Sequence, residues 1–369
     1  MYTRYIIIFI IFSIVAAIGE YIIYLSFHSA GIIKHLYTER ILLGFGILLP
    51  LMFIVSMIYG EKHFSLLNSW LYTSGVVWLG MLLYVFIAAF IVSIFIFINS
   101  VYGLNLPIRL ISIILLGCAL IVTAYGIYNS NNPKIVRWEI ESKTLAPLWK
   151  NKKIIFVSDF HLGNVRRENF AKRVIDIINN EKPDIVFNGG DLIDGPVFPY
   201  NKGFAPFEEL NPPLGSYYVE GNHEGYTQDY PAFKSQFPKT LNDITNKKVI
   251  VNGTQIIGLP YHMKDTDVDI SNELEKVDFD KNIPSIILMH DPKDIPMIAN
   301  DGVSLVLSGH THGGQLFPLT IILDIIDGKY VHGVSYTQNT ASLTSSGVGT
   351  AMPPIRLGTT PEIIVLTIK

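Results

Sequence analysis

Residues 154–161 read Ile-Ile-Phe-Val-Ser-Asp-Phe-His, four apolar residues that run straight into an Asp-x-His loop. A short apolar run of this kind, bounded by polar residues, fits a strand buried on both faces. From Asn169 the apolar positions Phe170, Val174, Ile177 and Ile178 recur at helical spacing, Pro183 closes the helix, and Ile185 to Phe187 reads as the next buried strand. Strand, helix and strand within about thirty residues make a βαβ unit, whose ligands gather at the carboxyl ends of the strands. Asp159 and His161 stand at such an end. Working outward, further strands are expected at Ile135 to Ile140, Tyr217 to Glu220, Val249 to Val251, Ile256 to Leu259, Ile286 to Met289, Leu305 to Ser308 and Ile363 to Ile368. Helices are expected near Pro231 to Gln236 and Ile295 to Ala299.

Upstream the chain changes character. Of its 369 residues 49% are hydrophobic and only 16% charged, too apolar for an average soluble protein. The excess lies before Asn132, where only five basic residues (Arg4, Lys34, Arg40, Lys62, Arg109) and three acids (Glu20, Glu39, Glu61) interrupt the apolar runs. Tyr5 to Phe27, Ile41 to Tyr59, Trp70 to Ile98 and Pro107 to Tyr128 are each long enough to cross a hydrocarbon core, which takes about 20 helical residues. The sequence therefore predicts an all-α transmembrane bundle of four helices over 1–132 and an α/β domain over 133–369, divided at the polar, Pro-ended break Asn129 to Pro133. Glu20 reads as a polar contact inside the bundle, because no second intramembrane charge offers a proton relay.

Four spans put the N-terminus and the soluble domain on one face. Arg4, Lys62, Lys134 and Arg137 lie on that face against Lys34, Arg40 and Arg109 on the other, a margin of one toward the cytoplasm. The 23 basic and 28 acidic residues beyond Asn132 leave a formal charge near −5 before His is counted, which argues against a nucleic-acid partner. The single cysteine, Cys118, sits in an apolar run, so no disulfide framework or thiolate cluster can be drawn.

Five loops carry residues able to hold a cation, each after an expected strand. They are Ser158-Asp159-Phe160-His161, Gly190-Asp191-Leu192-Ile193-Asp194, Gly221-Asn222-His223-Glu224, His290, and Gly309-His310-Thr311-His312-Gly313-Gly314. Singly each has an ordinary explanation as a turn, a helix cap or a partly buried imidazole. Their joint occurrence at five strand ends points to a metal site. Oxygen and imidazole donors without thiolate suit Mn, Fe or Zn.

The ordered set resembles the calcineurin-like metallophosphoesterase family, whose pattern is Asp-x-His, Gly-Asp, Gly-Asn-His-Asp/Glu, His, Gly-His-x-His. The likeness runs from about Lys153 to the C-terminus. Gly309 to Gln315 and Ser346 to Glu362 (SGVGTAMPPIRLGTTPE) are similar to the branch holding membrane-associated bacterial phosphodiesterases and the vertebrate transmembrane metallophosphoesterase-domain proteins. The resemblance implies a layered β-sandwich flanked by helices and two divalent metal ions. Asp159, His161 and His312 would hold one ion and Asn222, His290 and His310 the other, with Asp191 between them. His223 matches the family's catalytic histidine, which faces the scissile phosphate without binding metal. A hydroxide bridging the ions would attack phosphorus in a phosphodiester or phosphoanhydride.

A membrane tether makes sense for a phosphorylated, lipid-linked substrate, since some relatives hydrolyse UDP-diacylglucosamine. The expected setting is a multi-pass protein of the bacterial cytoplasmic membrane, contacting membrane lipid. Oligomeric state is not legible. The competing reading is a non-catalytic membrane sensor or scaffold with a metal-binding domain, and a weaker one is a transporter with a regulatory domain. Three stretches stay open: Glu224 reads as an exposed turn acid that either orients His223 or is incidental, Arg166 and Arg167 as a solvated helix start or as partners for a second phosphate or a lipid headgroup, and Leu316 to Ile326 as either core or bilayer-dipping.

Overall fold

A computed structural model describes residues 2–33, 35–60, 63–195, 198–227, 229–262 and 270–369, with backbone alone at 2–15, 36, 38 and 43. The loop charges Lys34 and Lys62, and Glu61, lie outside the described residues. The chain divides into two compact units, residues 1–59 with 67–128, and residues 60–66 with 129–369.

The first unit consists of long apolar helices: α1 (Tyr2–Ser29), α2 (Leu36–Gly60), α3 (Leu66–Tyr102) and α4 (Ile108–Ser130), the last of which ends in the second unit. Three segments are long and apolar enough to cross a membrane among the described residues, Glu39–Gly60, Leu66–Tyr102 and Ile108–Ser130. The expected first span falls on α1, where side chains are described only from Ala16 onward. The third exceeds its expectation. At 37 residues α3 is about 55 Å long, well beyond a hydrocarbon core of about 30 Å. Glu20 packs against α2, where a Cβ on Gly46 would lie 2.7 Å from its Oε2, so the absent side chain makes room for the carboxyl.

The second unit is a two-sheet sandwich. Its elements are β1 (Lys134–Ile140), α5 (Ala146–Trp149), β2 (Ile154–Val157), α6 (Glu168–Asn180), β3 (Ile185–Asn188), α7 (Tyr200–Phe204), β4 (Ser216–Tyr218), α8 (Tyr230–Ser235), β5 (Leu241–Asp243), β6 (Lys247–Val251), β7 (Thr254–Gly258), α9 (Ile270–Lys276), β8 (Ser285–Leu288), α10 (Ile295–Ile298), β9 (Leu305–Ser308), α11 (Leu319–Asp327), β10 (Gly333–Thr337), β11 (Thr340–Thr344) and β12 (Glu362–Ile368). One sheet runs β1-β12-β2-β3-β4-β5 and the other β10-β11-β9-β8-β7-β6. β2, β3, β4 and β5 are mutually parallel, as are β7, β8, β9 and β11, while β6 and β10 close the second sheet in antiparallel pairs.

Strand periodicity divides the apolar residues between layers. Ile154 and Phe156 of β2 join Ile185 and Phe187 of β3 in the core between the sheets, with Ile286, Leu288, Leu305 and Leu307 from the other side. Ile155 and Val157 point the opposite way, onto Phe170, Val174 and Ile178 of α6. With both faces covered, a central strand shows a continuous apolar run rather than alternation.

The hairpin β10–β11 was not expected from sequence, and its composition explains why. Ser335, Thr340, Ser342 and Thr344 are buried polar residues, and the hydroxyls of Ser335 and Ser342 satisfy each other at 2.7 Å. Hydroxyl pairing replaces apolar packing there, so the usual strand signal is missing.

Candidate metal centre

Five of the parallel strands end in loops that carry the ligand-type residues. β2 delivers Asp159 and His161, β3 Asp191, the loop after β4 Asn222, His223 and Glu224, β8 His290, and β9 His310 and His312. To turn sharply at these ends, five non-glycine residues adopt left-handed backbone: Asp159 (φ 59°), His161 (49°), Asp191 (54°), His310 (72°) and His312 (50°). Such conformations are disfavoured and cluster where the surrounding fold over-determines them. Close approach also requires Gly309, where a Cβ would lie 2.5 Å from Ser158 Oγ and 2.6 Å from Asp159 Oδ2.

Three ion-sized groups result among the described residues, of which His161 with Asp194 and His223 shares His161 with the first of the other two. Asp159, His161 and His312 bring their ligand atoms together in the first, and Asp191, His290 and His310 in the second, each within 4.8 Å. In the first, the Nε2 atoms of His161 and His312 face each other at 3.0 Å, and Asp159 Oδ1 lies 3.5 Å from His312 Nε2. Two imidazoles bound at right angles to one cation, each at about 2.1 Å, would have nitrogens about 3 Å apart. In the second, His290 Nε2 lies 3.1 Å from Asp191 Oδ2. Asp191 Oδ1 accepts the backbone N–H of His223 at 2.9 Å, leaving Oδ2 to face both groups, 3.7 Å from His161 Nε2. Asn222 Oδ1 is buried and has no hydrogen-bond partner, which in a dry site is costly unless a cation takes it.

The groups behind the ligands fix which atoms face inward. His161 Nδ1 donates to Asp194 Oδ1 at 3.1 Å, and the same oxygen lies 3.4 Å from His223 Nδ1. One carboxylate thus aims two imidazoles, with His223 the more exposed. His290 Nδ1 donates to Gly189 O at 2.7 Å. Arg356 is wholly buried behind His312, donating through Nη1 to His312 O at 3.0 Å and through Nη2 to Ser346 O and Gly349 O, each at 2.6 Å. With both Nη2 hydrogens so used, its 3.0 Å approach to His312 Nδ1 acts as a nearby positive charge. Burial and then that guanidinium hold His312 well below the usual imidazole range, keeping it in the neutral form a metal ligand needs. His290 shows the opposite balance: burial disfavours its charge, but Asp191 and Asp159 outweigh it and push the imidazole up to about 10.

Two readings of the sequence need correction. Glu224 is fully buried rather than an exposed turn acid, and it accepts backbone N–H groups from Leu192 (2.7 Å), Gly221 (2.8 Å) and Asp191 (3.1 Å). It clamps the β3 and β4 loops together and makes no contact that would orient His223. Burial and then Asp191 push its carboxyl up to about 7, while the N–H groups of Gly221 and Leu192 pull the other way. Arg166 is buried too, at 3% exposure, not solvated. Its guanidinium donates to Ser130 O at 2.8 Å and Asn131 Oδ1 at 2.5 Å, and lies over the Phe170 ring. Asp194 and Arg356, which aim the ligands, were not singled out from sequence.

Compared with known proteins, residues 152–314 match the calcineurin-like phosphoesterase family. An uncharacterized metallophosphoesterase of Aquifex aeolicus is 34% identical over 272 residues, which cover 68% of this chain and 97% of the relative. The chain belongs to the calcineurin-like phosphoesterase family. An uncharacterized metallophosphoesterase of Helicobacter pylori is 32% identical over 60% of this chain and 61% of its own. A transmembrane protein with metallophosphoesterase domain from Danio rerio is 28% identical over 68% and 62%. The match thus spans about three fifths of the length of those last two calcineurin-like relatives. Membrane-length helices beside a phosphoesterase domain place the chain in the membrane-associated branch of the family.

Proposed function

We propose that this protein is a membrane-anchored hydrolase of phosphodiester or phosphoanhydride bonds that works with two divalent cations. Asp159, His161 and His312 would hold one and Asn222, His290 and His310 the other, with Asp191 Oδ2 shared. When bound, such ions, whether Mn, Fe or Zn, neutralise developing charge on phosphoryl oxygens and supply a nucleophile at neutral pH. The observation that carries the reading is the convergence of buried ligand atoms in two groups, Asp159 with His161 and His312, and Asp191 with His290 and His310, beside a buried Asn222 Oδ1 that has no hydrogen-bond partner.

His223 then sits at the mouth of the cluster, its Nδ1 beside Asp194, free to stabilise the phosphoryl group or protonate the leaving oxygen through Nε2. Burial, and then the charge of His161, lower its proton affinity. The substrate we favour is phosphorylated and lipid-borne, since the chain's own spans would confine enzyme and substrate to one surface. Helix α1 supplies the fourth span in this reading, and the margin of one in loop charges favours the cytoplasmic face of a bacterial membrane for the domain.

The test is hydrolysis of bis(p-nitrophenyl) phosphate by detergent-purified protein, stripped of metal and then given Mn²⁺. Turnover should require the cation and disappear in Asp191→Ala, a loss of at least 10³-fold. Cation binding without turnover on this or the monoester analogue would leave the non-catalytic scaffold as the better reading.

A further inference from the structure

Immediately beyond the stretch matched to the family, the chain builds an apolar surface that the catalytic reading does not use. Helix α11 turns Thr320 inward, where its backbone packs on Gly314, and leaves Leu319, Ile321, Ile322, Ile325 and Ile326 in solvent, with Phe317 just before it. Ile325 is 78% exposed and Ile326 70%, values that exclude the core alternative for this segment. Elsewhere after residue 131 exposed apolar side chains are scattered, as at Ile135, Ile250 and Met297, which is ordinary. A contiguous patch is not.

The position of this helix says what covers it. Phe317 N donates to Leu357 O and Leu357 N to Gln315 O, so the start of α11 is stitched to the 354–359 loop. That loop also receives the last turn of the membrane-length helix α4: Asn129 Nδ2 donates to Arg356 O (3.1 Å) and Thr359 O (2.9 Å), and Ser130 Oγ to Pro354 O (2.6 Å). The apolar helix is therefore fastened, through one short loop, to Asn129 and Ser130, the last two residues of the membrane-length helix α4. Its other end lies close to the metal centre, where Thr311 Oγ1 donates to Val331 O at 2.6 Å.

We propose that α11 with Phe317 is an interfacial helix whose isoleucine face rests in the acyl boundary of the bilayer that holds the spans, setting the His310–His312 loop at the lipid surface. Asp324 and Asp327 on the same helix make it a poor partner for anionic headgroups, so the contact is apolar and independent of lipid charge. This concerns where the domain rests, not whether it turns over substrate, and holds even if the hydrolytic reading fails.

The experiment uses the full chain in nanodiscs, in a Cys118→Ser background, with a nitroxide on Ile325→Cys or, as a second variant, Ile322→Cys. Ile250→Cys on β6 is the aqueous reference. Collision with oxygen should exceed collision with an aqueous nickel chelate several-fold for the α11 labels, with the order reversed at residue 250, in phosphatidylcholine alone and with phosphatidylglycerol added. Labels on α11 as water-accessible as residue 250 would overturn the proposal. So would label–label broadening that vanishes on dilution with unlabelled protein, because a second copy would then be the occupant. Each variant should melt with the parent; Ile322→Cys replaces Ile325→Cys if that one does not.

Discussion

Behind His161 and His312 stand charged side chains, Asp194 and Arg356, whereas behind His290 and Asp191 stands main chain: the carbonyl of Gly189, and loop N–H groups gathered by Glu224. The two halves of one metal cluster are thus braced by different means. The first half depends on ionic groups far away in sequence, which can be altered without moving the backbone. The second depends on the path of the β3 and β4 loops, which changes only if the fold changes. Perturbing the first should tune affinity and rate, and perturbing the second should threaten the structure itself.

The largest break in this contrast should come from Glu224→Ala, which strands three buried N–H groups at about 1–3 kcal/mol each. Loss of both cations and a fall in melting temperature of well over 10 °C are expected by elemental analysis and thermal denaturation, with Glu224→Gln intermediate. Unchanged melting would remove the clamp from the account. Next, Arg356→Met should leave His312 O, Ser346 O and Gly349 O without their donor and loosen His312, so that one equivalent of metal is lost while the other stays. Equal loss of both would erase the distinction between the halves.

Smaller still, Asp194→Asn keeps the shape but weakens the aim of His161 and His223, and should lower kcat by about 10–100-fold with the fold intact. A reference far from the cluster is the Lys234–Asp243 pair. Burial raises Asp243, but Lys234 outweighs it and holds the carboxyl below its ordinary value. A depressed carboxylate stabilises the fold above its unfolded pKa and loses that contribution as pH falls through the folded one. Asp243→Asn should therefore cost about 1 kcal/mol at pH 7 and progressively less as the pH falls below the ordinary carboxylate range, measured by denaturant titration across that range.

Which parts could be read from sequence follows the same divide. Metal ligands announce themselves because they follow short apolar strands, and four of the seven sit beside a glycine, as in Gly190-Asp191 or Gly309-His310. Their supports do not. Asp194 lies 33 residues from His161 and Arg356 44 from His312, and nothing local marks the partnership. Glu224 carries the composition of a turn acid, and only the fold shows three N–H groups converging on it. Arg166 resembles a solvated helix start until the end of α4 is seen to cover it. Strands built from isoleucine and valine were legible, whereas β10 and β11, filled by serine and threonine, were not.

The left-handed backbone at Asp159, His161, Asp191, His310 and His312 carries a consequence for protein engineering. Each such residue stores on the order of 1 kcal/mol that glycine would release. Replacing a ligand by glycine should therefore make the cation-free protein harder to melt even as it abolishes the cluster. A screen that ranks variants of this molecule by heat resistance alone would select against its chemistry.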